Sequence, residues 1–519
     1  MENKMIHRNG FDLGHVVTQS TKFGKLLPFL IQEVVPGDSM EFDINCLVRF
    51  QPMLAPTMSD IYGKMDLFFV PNRLVWKNWE NFITGGEDGK DTSIAPYIKF
   101  ASDGAGVPAK SLFDYMGICT GFKGNISAFV PRAINLIWNE WYRDQNLQDK
   151  RAISLEDGED STTDTSICYR NFEKDYYTCA FPYAQKGDPV RLPLGATAPV
   201  RFRTYGTPTT VTPLQVFNSN GDYLNVAGSG THTVYTAGGD TGVYTTTSND
   251  PVGSGSVQMY VNPYADLSVA TASTVEDIRR AFQIQKFQWL NLKGGSRYVE
   301  YIWNYYGVRS SDARVQRPEL IASNTFNVQV NEVLQTSQTS GETTPTGTMY
   351  GHAISAGSSG KITKSFDEHG IVIGLYSIQP KTQYMQMVER QHTRFSRYDY
   401  YNPCFAFLGY QAILNKELYG LSANPDSVFG FQGRYDEMRH RQSYTCGDFR
   451  NSLKYWTLTR EFSEQPLLND SFITAANSSD RIFADTVDDY LLCDFYNDIF
   501  AYRPLPKDSE PGLIDHIYK

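Results

Sequence analysis

The sequence lacks the residue patterns by which most enzymes and metal proteins are recognised. It has no HExxH, no GxSxG, no complete GxGxxG, and no cysteine and histidine cluster with metal-ligand spacing. The segment around GSSGKIT approaches a phosphate-binding loop, but Ser355 replaces its first glycine and Ile362 replaces the Ser or Thr that binds Mg²⁺. We therefore predict no catalytic residues, no cofactor, no metal site and no enzymatic activity.

Cysteine is scarce, and long apolar runs are missing. The seven cysteines include no CxxC pair, so we expect reduced, mostly buried thiols in a protein that folds in a cytoplasm. No apolar run approaches the roughly 20 residues that span a bilayer. The opening MENKMIHRNGFDLGH also has no apolar core of a secretion signal. We therefore predict neither membrane insertion nor secretion.

Charge is sparse and unevenly distributed. Charged residues make up 20% of the 519 residues, and the formal net charge is −10. This acidic balance argues against a chain that coats nucleic acid through its overall charge. Any contact with nucleic acid is expected to be a local basic patch or to need a separate basic partner. The 14% of aromatic residues favours strands and large contact surfaces, and excludes a disordered chain.

One long stretch, from Thr204 to Ile278, contains no lysine or arginine. Within it, VYTAGGDTGVYTTT predicts two short strands around a glycine-rich turn. Two interpretations stay open. A composition of this kind often buries too little surface to become ordered, which favours a solvated loop. The hairpin pattern instead favours an ordered protrusion.

The remaining chain carries strand patterns. Apolar and polar residues alternate from Met40 to Phe50 after a turn at Pro36–Asp38, as a half-buried strand requires. KMDLFFVP predicts a second strand that ends at Pro71, and HGIVIGLYSI predicts a buried one, because its apolar residues are continuous. The sequence therefore predicts a mainly β protein.

Helices are predicted at two places. Over residues 133–142, Ile134, Ile137, Trp138 and Trp141 share one helical face. At Ser273 a capping box with the acidic residue three positions later begins a helix that ends at a Gly-Gly pair at 294–295, and a second short helix follows to residue 307.

Several sequence runs together resemble one protein family. They are FDLGH, FFVPNRLVWKNWENFITGG, AFQIQK, GGSRYVEYI, YYGVRSSDARVQRPEL, FGFQGRYDEMRHRQSYTCGDFR and PGLIDH. Distributed from residue 11 to residue 516, they resemble the major capsid proteins of the Microviridae, small single-stranded DNA phages, and specifically the gokushovirus branch. Tyr401-Asn402-Pro403 departs from the aromatic-rich YWP-like step of that family, which indicates a divergent member.

The resemblance implies a mainly β fold, namely an eight-stranded antiparallel viral jelly roll with long insertions that contain helices and loops. We expect an N-terminal arm (1–35), the first part of the core (36–203), a surface protrusion (204–272), the second part of the core (273–500) and a C-terminal tail (501–519).

The resemblance also implies a function and partners. Pentamers would assemble into an icosahedral T=1 shell of sixty copies around circular single-stranded DNA, in the host cytoplasm, and become the virion. Implied partners are a small basic DNA-binding peptide, a scaffolding protein, a pilot protein and a host surface receptor. The protrusion would attach to the host, with Thr231, Tyr235 and Tyr244 as candidate contacts. The alternative is a β-rich adhesin or carbohydrate-binding protein.

Two runs interleave basic and aromatic residues. Their candidate contact residues are Arg390, Arg394, Arg397, Arg439 and Arg441. Arginine neutralises phosphate and aromatic rings stack on unpaired bases, so one interpretation is contact with the genome. The acidic neighbours favour the other interpretation, in which these arginines pair with carboxylates at subunit interfaces. Elsewhere, the acidic stretch over residues 144–166 is expected to be a solvated loop, with a calcium site as a weaker alternative.

Overall fold

The computed structural model describes residues 8–87, 90–187, 316–336 and 348–507, with a helix and six short strands between residues 200 and 294. The chain forms two compact units, residues 1–184 with 308–519, and residues 185–307. No helix in these described parts is long and apolar enough to cross a membrane.

The strands are numbered in chain order. Their bounds are β1 Asn9–Asp12, β2 His15–Thr21, β3 Lys25–Val34, β4 Ser39–Phe50, β5 Ile61–Pro71, β6 Tyr97–Phe100, β7 Gly124–Ser127, β8 Cys168–Tyr169, β9 Val200–Phe202, β10 Val216–Phe217, β11 Tyr223–Leu224, β12 Thr233–Thr236, β13 Val243–Thr246, β14 Pro263–Ala265, β15 Glu319–Asn327, β16 Gln329–Leu334, β17 Met349–Ser358, β18 Ile362–Ser365, β19 Gly370–Pro380, β20 Tyr410–Leu414, β21 Val428–Gly433 and β22 Leu491–Arg503.

Helices are short apart from two. The α-helices are Asn72–Val75, Trp79–Thr84, Leu112–Tyr115, Phe129–Ile137, Val275–Gly294, Asn415–Leu418 and Asp470–Ile473. Single turns of 3₁₀-helix lie at Arg390–Thr393, Pro403–Phe405, Asp436–Met438, Gly447–Arg450, Lys454–Trp456 and Ala475–Asn477, and a π turn lies at Trp138–Tyr142.

Two large antiparallel sheets form the centre of the larger unit, which also contains the two-stranded sheets β6-β7 and β20-β21. In the first sheet, β22 pairs with β4 along one edge and with β1 and β2 along the other. The far edge of β4 pairs with β17 and β18, and β17 in turn pairs with β16. The second sheet has the order β15-β5-β19-β3-β8. The chain crosses between the sheets at a tight turn after β3, where Gly37 has a φ of 91°, and again between β15 and β16. The structure is therefore mainly β and antiparallel, as expected of a capsid jelly roll, and the count of eight strands stays a prediction.

The main core lies between the two sheets. β4 and β22 alternate buried and exposed residues along their length, so each contributes one apolar face. In the centre, the ring of Phe495 stacks on Phe29 at a centroid distance of 4.8 Å and contacts Tyr376 at 4.5 Å. All eleven residues of β19 are buried, because this strand is covered on both faces.

A helix covers the other face of the second sheet. Ile134 and Ile137 of the helix Phe129–Ile137 are fully buried and belong to one cluster with Phe68 and Ile373 of the sheet. The helix predicted over residues 133–142 is confirmed, although its last turn, with the partly exposed Trp141, is π-helical. A π-helical turn contains more residues than the 3.6 of an α-helical turn, so a pattern based on 3.6 residues per turn does not predict it.

The first 35 residues differ from the predicted arm. Residues 9–34 form β1, β2 and β3, and β3 pairs with β19 inside the second sheet. The apolar run LLPFLIQEVV is thus a core strand, whose partner lies more than 300 residues away in the sequence. A local pattern cannot reveal so distant a partner. The other predicted domain limits stay predictions.

The smaller unit contains the predicted hairpin. β12 and β13 pair antiparallel, and Tyr235 lies directly opposite Tyr244 in the register. The predicted helix is confirmed over Val275–Gly294. Its proposed cap at Ser273, the second short helix, Thr231 and most of the predicted protrusion lie outside the described residues.

The acidic stretch 144–166 is an irregular loop, as predicted, but it is only partly exposed, because buried residues anchor it to the helix. Asp160 is buried and its Oδ2 accepts a hydrogen bond of 2.7 Å from Nε of the fully buried Arg132. Asp157 accepts from the indole of Trp76 at 2.5 Å. A buried guanidinium requires a carboxylate partner, which holds this stretch against the helix. Within the described residues, no three His, Cys, Asp or Glu side chains come together as a metal site, and the calcium interpretation is not supported.

Candidate assembly and nucleic-acid surface

Both basic runs lie in the insertion between β19 and β22, residues 381–490. Short turns and the β20–β21 hairpin form it, around a small core that includes Tyr177, Tyr384, Ile413 and Phe429. Aromatic rings supply much of this core, and the hydroxyl of the buried Tyr384 donates to Asp175 at 2.6 Å. The insertion is therefore a folded extension of the larger unit with polar contacts inside its core.

The structure brings the two basic runs together. Nη2 of Arg394 from the first run donates to Oε1 of Glu437 in the second at 3.0 Å. In return, Nη2 of Arg434 from the second run donates to the carbonyl of Tyr398 in the first at 3.2 Å. The two runs thus form one surface, which we call the arginine surface and define by the five candidate arginines with Arg434.

Four of the five candidate arginines pair with carboxylates of the same chain. Besides the Arg394 pair, these are Arg390 with Glu417 at 3.6 Å, Arg439 with Asp436 at 3.0 Å, and Arg441 with Glu389 at 3.7 Å. Arg394 and Glu437 are both largely buried, so their pair stabilises the insertion. The acidic neighbours thus act within one chain, and pairing across subunits stays a prediction.

Arg397 is the exception among the five. Its guanidinium lies over the ring of Tyr398 at 4.8 Å and donates to the Tyr398 hydroxyl at 2.8 Å. Among the described residues, no carboxylate lies within ion-pair distance of it. An exposed guanidinium stacked on a tyrosine presents both a cation and an aromatic face, the pair of groups that binds single-stranded nucleic acid.

One buried acid lies behind the arginine surface. Glu417 is almost fully buried and accepts hydrogen bonds from the amide of Leu414 at 3.0 Å and the hydroxyl of Tyr176 at 3.2 Å. Burial raises the pKa of Glu417, although Arg390 and these hydrogen bonds act against that rise. The acid orders the turn at residues 414–418 and holds Arg390.

Large apolar side chains are exposed beside the arginine surface. Phe395 is 89% exposed and Phe407 is 94% exposed, with Tyr400, Tyr401 and Leu408 also largely open. Isolated exposed apolar residues are ordinary, but a concentrated group marks a surface that another molecule covers. Sequence reasoning missed Phe407 and Leu408. The only signal was the apolar run CFAFLG after a proline, which has neither helical nor strand periodicity.

The candidate attachment residues belong to the other unit. Tyr235 and Tyr244 lie in the β12–β13 hairpin of the smaller unit, whereas all five arginines lie in the larger unit. The structure thus assigns the two predicted sets of contacts to separate units.

Comparison with known proteins identifies relatives along nearly the whole chain. The profile of the family described as Capsid protein (F protein) matches residues 1–513. Capsid protein VP1 of Chlamydia phage 1 is 34% identical, covering 98% of this chain and 96% of the relative. VP1 of Bdellovibrio phage phiMH2K is also 34% identical over 96% and 94%, and VP1 of Spiroplasma virus 4 is 29% identical over 98% and 96%.

These matches confirm the resemblance to Microviridae capsid proteins and to the gokushovirus branch. They also confirm that the chain is a structural capsid protein of the virion and not an enzyme. The chain belongs to the capsid protein (F protein) family of phages.

Proposed function

We propose that the chain assembles through pentamers into an icosahedral T=1 shell of sixty copies around circular single-stranded DNA. Membership of the capsid protein family makes it a subunit of a multi-copy shell. The observation that carries the rest is the exposed apolar group around Phe395 and Phe407, which a lone monomer would leave in water. Symmetric contacts that cover such surfaces on every copy close a shell.

The proposal includes contact with the genome at one end of the arginine surface. Arg397 and Tyr398 together offer an unpaired cation and an exposed ring. Arg390 and Arg394 are largely buried and hold the insertion in shape, whereas the side chains of Arg439 and Arg441 are 58% and 74% exposed. Because the net charge of the chain is −10, it cannot neutralise DNA through its overall charge, and a separate small basic peptide would neutralise most of the phosphates.

The β12–β13 hairpin supports the proposed protrusion. A protrusion of this kind would contact the host receptor through residues such as Tyr235 and Tyr244. Deleting residues 228–255 is expected to leave the larger unit folded and shells intact while phage attachment to the host falls. A deletion variant that misfolds would contradict the assignment of this segment as an insertion.

Scaffolding and pilot proteins complete the proposed set of partners, and assembly would take place in the host cytoplasm. The test is negative-stain electron microscopy of the purified protein, beside its sedimentation rate. Uniform icosahedral particles with small surface knobs are expected. Pentamers without shells would support the proposal and would indicate that closure of the shell requires a scaffolding protein. A monomer under every condition would contradict the proposal.

A further inference from the structure

The outermost strand of the first sheet has an open edge. β16 pairs with β17 on one side, and among the described strands none pairs with its other side. The amide of Gln335 donates to the carbonyl of Thr348 at 2.9 Å, so the odd-numbered residues of β16 form the hydrogen bonds to β17. The amides and carbonyls of Val330, Glu332 and Leu334 therefore point to the open edge.

This edge carries little of the protection that open sheet edges usually have. Natural proteins protect such edges with proline, lysine or a β-bulge. The sequence of β16, QVNEVL, contains neither proline nor lysine, and its register with β17 runs without a bulge. Glu332 is its only charged residue. An edge of this kind is suited to pairing with a strand of another molecule.

Apolar and aromatic side chains are exposed on both faces beside the open edge. Val333 and Leu334 of β16 are 49% and 52% exposed, and Met349 and Tyr350 of β17 are 40% and 36% exposed. In the register Val333 lies opposite Tyr350 on one face, and Leu334 lies opposite Met349 on the other. A concentrated group of exposed apolar side chains marks a surface that another molecule covers.

The strand partner that suits this edge is a second copy of β16. Only every second residue of β16 points its backbone groups to the edge, so a symmetric antiparallel pair must centre on one residue, which lies opposite itself in the other copy. A centre at Glu332 would oppose two carboxylates, and like charges at opposite positions destabilise a sheet.

Only one centre places the exposed Val333 opposite an apolar residue. The other positions that could face it are all polar, namely Thr325, Asn327, Gln329, Asn331 and Gln335. With Val333 itself at the centre, Glu332 lies opposite Leu334 of the other copy, so no like charges are opposed. Tyr350, Val333 and the same two residues of the second copy then form one unbroken row on one face of the sheet.

We infer that β16 pairs with β16 of a second copy of this chain about a two-fold axis at Val333, which joins the first sheets of the two copies into one sheet. Copies in an icosahedral shell meet at two-fold axes through the same surface, so the inference rests on the proposed function and names one of its contacts. This contact is separate from the exposed group around Phe395 and Phe407, which lies in the insertion.

The test is disulfide crosslinking of full-length chains with one new cysteine in β16. In the inferred register, Val333 faces its copy as a pair without hydrogen bonds, in which the Cα atoms lie about 4.5 Å apart. A disulfide fits that distance. After mild oxidation, Val333→Cys is therefore expected to give a disulfide-linked dimer on non-reducing gels, above the background that the native cysteines give in the wild-type chain.

Asn331→Cys is the matched control, since Asn331 is exposed on the same face of the same strand. In the inferred register its copy lies about 13 Å away along the strand, which is beyond the reach of a disulfide. Val333→Cys should give at least about fivefold more dimer than this control. Equal amounts of dimer, none from either variant, or more from Asn331→Cys would each overturn the inference.

Shells that form while their Val333→Cys subunits stay unlinked under oxidation would overturn the inference and leave the proposed function standing. Linked dimers of Val333→Cys from a chain that never forms shells would support the strand pairing and contradict the proposed function alone.

Discussion

The two-sheet sandwich and the insertion over residues 381–490 are stabilised in different ways. In the sandwich, buried apolar side chains such as Phe29 and Phe495 pack on each other from the two sheets. In the insertion, tyrosine hydroxyls, buried carboxylates and arginines form the contacts, as where Tyr384 and Thr382 both donate to Oδ2 of Asp175. Apolar packing is local to each strand face, whereas the polar network depends on several residues being in place together.

The largest effect is expected in the sandwich. Replacing Phe495 by alanine removes a fully buried ring and leaves a cavity, so the free energy of unfolding should fall by about 3–5 kcal/mol. Tyr496→Ala, one position along β22 on the exposed face, should cost no more than about 1 kcal/mol. Urea unfolding of the unassembled chain measures both. Similar losses for the two variants would contradict the assignment of the core.

A smaller, local effect is expected in the insertion. Tyr384→Phe removes a buried hydroxyl that donates to a carboxylate, and should destabilise the insertion by about 1–3 kcal/mol. Limited proteolysis should then cut within residues 381–490 before the sandwich. The control is Tyr400→Phe, because Tyr400 is 57% exposed. Cleavage that starts in the sandwich strands would show that the two regions unfold together.

The arginine surface should separate into structural and contact residues. Arg394→Ala leaves the largely buried Glu437 without its cationic partner, with the amide of Gln411 still donating to it, which should cost about 1–3 kcal/mol of stability. Arg397→Ala should change stability by less than about 0.5 kcal/mol, and shells should form with less packaged DNA. Thermal unfolding and the ultraviolet absorbance ratio of purified particles report the two effects. Normal DNA content in Arg397→Ala particles would contradict a genome contact there.

Acid should affect the stability contributed by two buried carboxylates, Glu417 of the insertion and Asp160 of the loop 144–166, with opposite signs. Burial raises the pKa of Glu417 above its usual 4.5. At pH values between 4.5 and this raised pKa, the folded state binds more protons than the unfolded state, so the stability of the fold rises as pH falls. For Asp160, hydrogen bonds from Thr163 and Arg132 outweigh burial and lower the pKa, so its stabilising contribution is lost as pH falls below its usual 3.8.

Glu417→Gln and Asp160→Asn should each remove the corresponding slope when the free energy of unfolding is followed from pH 7 to pH 3. Wild-type slopes in both variants would show that neither carboxylate changes its proton affinity on folding.

The sandwich was far easier to predict from the sequence than the surface. The sequence of β4 alternates apolar and polar residues, and that of β19 is continuously apolar. The β12–β13 hairpin is predicted by two strand patterns around a glycine-rich turn. All three signals are local in the sequence. The pairing of Arg394 with Glu437 joins residues 43 positions apart through turns that have no periodicity. The burial of Asp160 likewise depends on Arg132, which sequence patterns treat as an exposed helical position.

Family resemblance supplied the assignment as a capsid protein, which local patterns could not, while the T=1 shell and its partners stay proposals. It did not supply the position of Asp43 directly opposite Asp498, which only the register of β4 and β22 shows. A single sequence therefore predicts secondary-structure elements and the protein family. Which side chains face each other across neighbouring strands is known only from the structure.

The most direct test of the central claim, that this chain closes a T=1 shell, is the mass of the native particle by charge-detection mass spectrometry. We expect an empty shell of about 3.5 MDa, sixty times the 58.7 kDa chain. A single species at the mass of the monomer, under conditions that include the phage's other structural proteins, would contradict it.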